Sequence, residues 1–206
     1  MKTLTRVEAR NLTLQRGARL LLGGLSFEAR AGEAIAVTGD NGAGKTSLLR
    51  AIAGLIRPAG GEIGFFDAGG AMEPDGARRE HVHLLGHQDG LTAGRTAREE
   101  LLFATRWTGG SAAAAASGAE RLGIERMLDL PVRHLSAGQR RRLSLVRLLA
   151  APRALWLLDE PLTPLDGDSR AVFAEAMKAH LTGGGIIIAA IHDPLPISAR
   201  EVAVAG

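Results

Sequence analysis

Eight residues, "GDNGAGKT" from Gly39 to Thr46, satisfy the pattern G-x-x-x-x-G-K-[ST] in full. Each residue type in it does something that phosphate chemistry requires. Glycines let the backbone fold its N–H groups inward around an anion, and a following helix adds its positive end. Lys45 brings a point charge to the β- and γ-phosphates, and the Thr46 hydroxyl is a hard oxygen ligand for magnesium. A glycine-rich turn that binds nothing would satisfy the same letters, so context decides. The apolar "AIAV" precedes the loop, a helical pattern follows it, and Lys45 is one of only three lysines, with Lys2 and Lys178. The expectation is a nucleoside triphosphate site built from Gly39, Asp40, Asn41, Gly42, Ala43, Gly44, Lys45, Thr46 and Ser47.

Other segments carry groups that would complete such a site. "ALWLLDE" ends an apolar run on Asp159 and Glu160. Beside a phosphate loop, the aspartate is expected to complete magnesium binding. The glutamate, turned to the other face of the strand, is expected to polarise an attacking water. Gln88, in "GHQDG", is a neutral side chain able to reach magnesium or water. His192 closes "IIIAAIH"; a lone histidine is more often structural than catalytic. "LSAGQRRRL", Leu135 to Leu143, has in Ser136 and Gln139 the spacing of a capping box, which ties off amides at a helix N-terminus. Its three arginines read as a solvated helix face. His81, His83 and His87 invite a metal reading, with His81 and His83 on one strand face, but no cysteine or carboxylate cluster supports it.

The elements needed to position these groups are visible as alternating patterns. "RVEARNLTLQ" and "LLLGGLSFEARAGE" alternate like strands, with turns at Gly17 and at Ala31-Gly32. "AIAVTG" is a short buried strand, "KTSLLRAIAGL" a helix, and "GEIGFF" and "HVHLLGHQ" further strands. From about 92 to 134 the pattern turns helical, through "TAREELLFATRW" and the alanine run "AAAAASGAERLG", which suggests a helical lobe inserted into an α/β core. A helix at about 137–150, the strand "ALWLLDE", the helix "DSRAVFAEAMKAHL" and the strand "GIIIAAIH" follow. Strands alternating with helices predict a mainly parallel sheet. The sequence runs to "EVAVAG" at 201–206, so no appended regulatory domain is expected.

Composition sets limits. The 206 residues are 46% hydrophobic and 23% charged, suited to one globular domain with an inserted lobe. A net charge of +3 is too small to argue for nucleic acid without a clustered basic face. The chain has no cysteine, which fits a reducing compartment, and no secretion signal. Its longest apolar stretch, "GIIIAAI", is too short to span a bilayer, so no transmembrane segment of its own is expected.

Together these motifs resemble the ATP-binding subunit of ABC transporters, over nearly the whole chain. The family's phosphate loop corresponds to Gly39–Thr46, its glutamine loop to Gln88, and its signature to Leu135–Gln139. Its magnesium aspartate and catalytic glutamate correspond to Asp159 and Glu160, its dimer-contact loop to "TPLD" with Asp166, and its switch histidine to His192. The signature is the discriminating motif, because other phosphate-loop enzymes lack it.

The resemblance implies an α/β fold of the ABC-type phosphate-loop NTPase kind. That fold has a mainly parallel core sheet, an N-terminal antiparallel β portion and an inserted helical lobe. It implies an ATPase using ATP and Mg2+, with Glu160, His192 and Gln88 in the catalytic group and Thr46, Gln88 and Asp159 around the metal. It also implies a head-to-tail homodimer in which Ser136, Gly138 and Gln139 meet the ATP held by a second copy. Integral membrane permease subunits would be partners, with the chain peripheral on the cytoplasmic face of the inner membrane and no direct contact with nucleic acid. Arg16 falls where the family usually stacks an aromatic ring on adenine; a guanidinium plane can also stack on a base.

"LLGHQDGLTAGRTAREEL", "LSAGQRRRLSLVRLL" and "LWLLDEPLTPLD", in so short a chain, look most like the haem-exporter ATPases of cytochrome c maturation. That points to haem export as the transport powered, with another ABC substrate as the alternative. A nucleic-acid ATPase of the related repair kind would split the two halves with long coiled coils, and no heptad run occurs between Lys45 and Ser136. A small-molecule kinase would leave "LSAGQ" unexplained.

Overall fold

The computed structural model describes residues 3–204, so Met1, Lys2, Ala205 and Gly206 lie outside the described residues. These form two compact units: one of residues up to 84 with 153–161 and from 177 onward, the other of 85–152 with 162–176.

The first unit opens with a long hairpin, β1 (Arg6–Arg16) and β2 (Arg19–Arg30), antiparallel in register Arg6↔Arg30 through Arg16↔Arg19. β3 (Ala34–Thr38) leads through the glycine loop into α1 (Lys45–Ile52), followed by β4 (Gly60–Asp67) and the two-residue β5 (Gly70–Ala71). β4 pairs with β1 to complete an antiparallel sheet of order β2-β1-β4-β5. Next come α2 (Pro74–His81) and β6 (Val82–Leu85). The remaining strands, β7 (Leu155–Asp159), β8 (Ile186–Ala190) and β9 (Arg200–Ala203), join β6 and β3 in a second sheet of order β6-β7-β8-β3-β9. The pairings β7–β8, β8–β3 and β3–β9 are parallel.

The inner strands of this parallel sheet are buried on both faces, which is why "LWLLD" and "IIIAA" read as continuous apolar runs and not as alternation. Leu48, Leu49 and Ile52 of α1 are fully buried in the same core as Ile35, Val37, Leu157 and Ile188. The chain therefore anchors the helix that follows the glycine loop firmly against the strands around it.

The second unit contains α3 (Ala97–Thr108), α4 (Ala112–Arg121) and α5 (Ala137–Ala150), and α6 (Gly167–Thr182) begins in it. The alanine run folds as α4, burying Ala115, Gly118 and Ala119 at helical spacing. These small residues let α4 lie close on α5: a Cβ on Gly118 would stand 3.2 Å from Val146 Cγ1. No helix among the described residues is long and apolar enough to cross a membrane.

Two expectations change. "HVHLLGHQ" is a strand only over Val82–Leu85, and His81 is the last residue of α2, so His81 and His83 share no strand face. "PDGARREH" has no apolar period to betray a helix. It folds as one because Pro74 occupies the first turn and the Glu73 carboxylate accepts the Asp75 and Gly76 amides. β9, in "REVA", escapes notice because it is a short edge strand with only Val202 buried.

Two histidines make this fold acid-sensitive. Burial lowers the pKa of His81, with Arg153 adding to the effect against Glu80 and Asp67. Burial likewise lowers that of His180, which stacks on Trp156 at 3.8 Å, against the raising effect of the Ile186 and Ala154 carbonyls. Both groups favour the neutral form on folding. Their contribution is therefore complete above the unfolded value of about 6.5 and is lost as pH falls through it. Thermal unfolding should show a midpoint that is flat above pH 7 and declines toward pH 5, with a shallower decline in His180→Phe. An identical acid limb in that variant would remove His180 from the explanation.

Candidate nucleotide site

The glycine loop joins β3 to α1, and its shape depends on glycine at both ends. Gly44, the N-cap of α1, has φ 98°, and Gly39 has φ 138° and passes so close to the Val204 carbonyl that a Cβ would collide with it. Lys45 is 7% exposed. Its Nζ donates to Gly39 O at 2.5 Å and to Asp40 O at 3.2 Å, which holds the ammonium across the loop. An ammonium has three donors, so one N–H remains for an anion.

At the carboxyl edge of the parallel sheet, the Thr46 hydroxyl donates to Asp159 Oδ1 at 3.0 Å. Asp159 is the last residue of β7 and buried, set by the pairing Asp159↔Ala190. Glu160 does not follow the strand's alternation to the other face: β7 has already ended, and Glu160 turns to φ 46° while its N–H donates to Ala190 O at 3.0 Å. A left-handed conformation costs a non-glycine residue roughly 1–2 kcal/mol, and such strain collects at functional sites. The turn brings Glu160 Oε1 to 3.3 Å from His192 Nε2. His192 in turn lies beyond β8, which ends at Ala190, so it belongs to the following turn and does not close the strand.

One cavity collects most of the residues expected from the sequence. Asp40, Asn41, Gly42, Gly44, Lys45, Thr46 and Ser47 line it from the loop, Asp159, Glu160 and His192 from the sheet edge, and Arg16 from the hairpin. Gly39 shapes the loop's start, and Ala43 is buried beneath it. Arg19 and Leu21 of β2 also line the cavity and were not expected. The hairpin register was the available signal, because it sets Arg19 directly opposite Arg16.

The second unit holds Gln88, Ser136, Gly138 and Gln139. Ser136 is the N-cap of α5: its Oγ accepts the Gln139 N–H at 3.2 Å, and Gln139 Oε1 accepts the Ser136 N–H at 2.8 Å. The box leaves the Ser136 hydroxyl proton and the first helical amides at a positive helix end. Gly138 is not demanded by internal packing, since its Cβ would meet Pro164 O at an ordinary 3.5 Å. Gln88 is exposed, in a loop that runs on from β6. Asp166 accepts the Ser169 amide at 2.8 Å, and the Ser169 hydroxyl and amide hold its carboxyl below the usual range.

The arginine run is not a solvated face. Arg141 is 2% exposed, and its Nη1 donates to Gly86 O at 2.8 Å and Asp89 Oδ1 at 3.3 Å. Ser144 Oγ donates to Asp89 O at 3.1 Å, and Arg147 Nη1 to Gly90 O at 3.1 Å. The backbone of the loop around Gln88 is thus fastened to α5 by side chains on the inner face of that helix. Arg140 and Arg142 are spent on the Leu135 and Leu122 carbonyls. Arg141→Ala should cost about 2–3 kcal/mol in denaturant unfolding, as expected for a buried charged donor whose acceptors lose their partner. Arg141→Lys should recover only part of this, because an ammonium lacks the planar fork. A loss under about 0.5 kcal/mol in Arg141→Ala would contradict the clamp.

Comparison with known proteins bears on the same residues. Residues 22–163 match the family "ABC transporter". The chain is 48% identical to the cytochrome c biogenesis ATP-binding export protein CcmA of Rhodopseudomonas palustris strain BisB5, over 96% of this chain and 97% of the relative. It is 46% identical to the protein of that description from Nitrobacter winogradskyi, over 98% of each chain. An ABC transporter ATP-binding protein from Pyrococcus furiosus shares the fold, with a TM-score of 0.82 at 21% identity, over 97% of this chain and 98% of that one. A lysine-bearing glycine loop that meets a strand-end aspartate, and a family match over most of the chain beside near end-to-end relatives, lead to one conclusion: this chain belongs to the ABC transporter family, as an ATP-binding subunit with ATPase activity.

Proposed function

We propose that the chain binds ATP with Mg2+ at the Lys45 loop and hydrolyses it as one half of a head-to-tail pair. The pair would power haem export for cytochrome c biogenesis through separate membrane permease subunits, at the cytoplasmic face of the inner membrane. The export role rests on relatives of that description matching nearly end to end. In this reading 1–206 is a single ABC ATPase domain, with its α/β core at about 1–91 and 135–206 and a helical lobe at about 92–134. The observation that carries the chemistry is the Thr46–Asp159 hydrogen bond at 3.0 Å, beside the Glu160–His192 contact at 3.3 Å.

That donor set fits magnesium. Thr46 and Asp159 offer hard oxygens side by side, and no cluster of three or more His, Cys, Asp or Glu among the described residues could form a protein-only cage. When bound, magnesium neutralises charge on the β- and γ-phosphate oxygens. The chain's residues do the rest. Lys45 and the loop amides cradle the phosphates, and Glu160 orients a water and takes its proton. His192 holds the Glu160 carboxylate and faces the γ-phosphate, and Gln88, a residue of the second unit, has its proposed water and metal role from the family resemblance alone. Ser136, Gly138 and Gln139 serve the nucleotide on the second copy, an assignment supported by the unused donors at the tip of α5.

Gly138→Ala separates folding from function. Alanine favours a helix by up to about 1 kcal/mol over glycine, so the variant should be at least as stable. It should nevertheless lose most of its hydrolysis, because a methyl group obstructs the close approach of a phosphate. Full hydrolysis in a stable Gly138→Ala protein would remove the signature from the site.

The partner assignment is tested by purifying the chain from membranes in mild detergent. Haem-handling membrane proteins should accompany it and raise its ATPase rate. Recovery with an unrelated permease would replace the export assignment and leave the ATPase reading in place.

A further inference from the structure

Glu100 is a buried carboxylate outside the nucleotide cavity. It lies in α3 and is 2% exposed. Burying a carboxylate is costly unless it is paired and hydrogen-bonded, and Glu100 is both. Its Oε1 accepts the Thr92 N–H at 3.2 Å and Arg95 Nη1 at 3.3 Å, and its Oε2 stands 3.9 Å from Arg147 Nη1. Burial disfavours the charged form of Arg147, and Glu100 opposes that effect ahead of Asp89. A buried ion pair is often no more stabilising than apolar packing of the same volume, but its hydrogen bonds have direction and so fix one geometry.

The geometry fixed here is that of one stretch of chain. Residues 86–94 belong to no helix or strand, none of them is buried, and glycine stands at 86, 90 and 94. Apolar packing therefore cannot set their course, and polar fasteners must. Arg141 fastens the incoming side, at Gly86 O and Asp89 Oδ1. Glu100 fastens the outgoing side, directly at the Thr92 amide and through Arg147, whose Nη1 donates to Gly90 O at 3.1 Å and Asp89 O at 3.4 Å. Gln88, exposed, lies between the two fastenings. Arg95, the third partner of Glu100, is held from its other side by the Phe103 ring, whose centroid is 4.5 Å from the guanidinium carbon.

We propose that Glu100 is a positioning residue for ATP hydrolysis: through Arg147 and the Thr92 amide it fixes the outgoing side of the loop that presents Gln88. Glu100 acts in this way only if Gln88 serves the attacking water and magnesium, a reading that the same experiment tests separately.

The test is steady-state phosphate release by the full chain with ATP and magnesium, in the parent, Glu100→Gln, Gln88→Ala and the double variant. Glu100→Gln keeps the size of the side chain and exchanges charge-assisted contacts for neutral ones. It should lower kcat about fivefold and leave KM within about twofold, since the nucleotide's own contacts are untouched. Gln88→Ala should cost at least as much. In that background Glu100→Gln should lower kcat by less than about twofold, because a residue that acts through another adds little once the other is gone. Amide exchange over 88–92 should quicken about tenfold in Glu100→Gln, with that of the α5 amides unchanged. Arg147→Lys, which loosens the loop from the other side of the pair, should reproduce the kinetic defect. Unchanged kcat in folded Glu100→Gln protein, or an equal loss with and without Gln88, would overturn the positioning role and leave that of Gln88 standing. Should Glu100→Gln fail to fold, an unaltered kcat in Arg147→Lys would overturn it in the same way. Normal hydrolysis by Gln88→Ala alone would overturn both.

Discussion

Glu160→Gln protein is expected to bind ATP within about threefold of the parent affinity and to hydrolyse it at least about 10³-fold more slowly. General-base assistance is worth about 10²–10⁴ in rate, and the substitution removes the proton acceptor while keeping size and shape. Binding should survive because the groups proposed to hold the phosphates, Lys45 and the loop amides, have their own partners. Lys45 is fixed by Gly39 and Asp40, and Thr46 by Asp159, none of them through Glu160. The strained φ of 46° is retained, since glutamine meets the same backbone sterics as glutamate. The amide oxygen can still accept from His192, so the turn after β8 keeps its neighbour. Steady-state phosphate release measured beside nucleotide affinity checks the split. Unchanged turnover would remove Glu160 from the reaction.

Lys45→Ala has the opposite signature, loss of binding itself. A charge-assisted contact to phosphate from a mostly buried ammonium is worth about 3 kcal/mol, which corresponds to at least about 100-fold in Kd. The fold should persist, because the side chain's bonds are to the loop that contains it and not to the core. Ligand-induced stabilisation follows RT ln(1 + [L]/Kd), so ATP should raise the melting temperature of the parent and leave that of Lys45→Ala unmoved. A variant that melts normally and still shifts with ATP would show that the loop binds its anion without this lysine.

Much of this was legible in the sequence, for identifiable reasons. The phosphate loop is legible because its letters encode backbone geometry: Gly39 and Gly44 stand where φ is positive, and no other residue type fits both places. The capping box at Ser136 and Gln139 is local chemistry over four residues, and it formed as spaced. The inner strands declared themselves through apolar runs that only a sheet covered on both faces requires. What the sequence concealed was set by tertiary geometry. Glu160 leaves the strand through a left-handed turn that alternation cannot foresee. Arg141 looks like surface in "RRR", and is buried because the Gly86 carbonyl and the Asp89 carboxylate converge on it from more than fifty positions away. Arg19 needed the hairpin register before it could be placed beside Arg16. α2 is a helix held by its first turn and not by an apolar face.

One measurement bears most directly on the idea that two copies complete each other's nucleotide sites: the solution mass of Glu160→Gln at saturating ATP and magnesium, by light scattering. The expected mass is twice the 21.6 kDa of the chain, reverting to one copy when nucleotide is removed or when Ser136→Arg is added to block the tip of α5. A strictly single-copy mass with nucleotide bound, unaltered by the permease subunits, would contradict it.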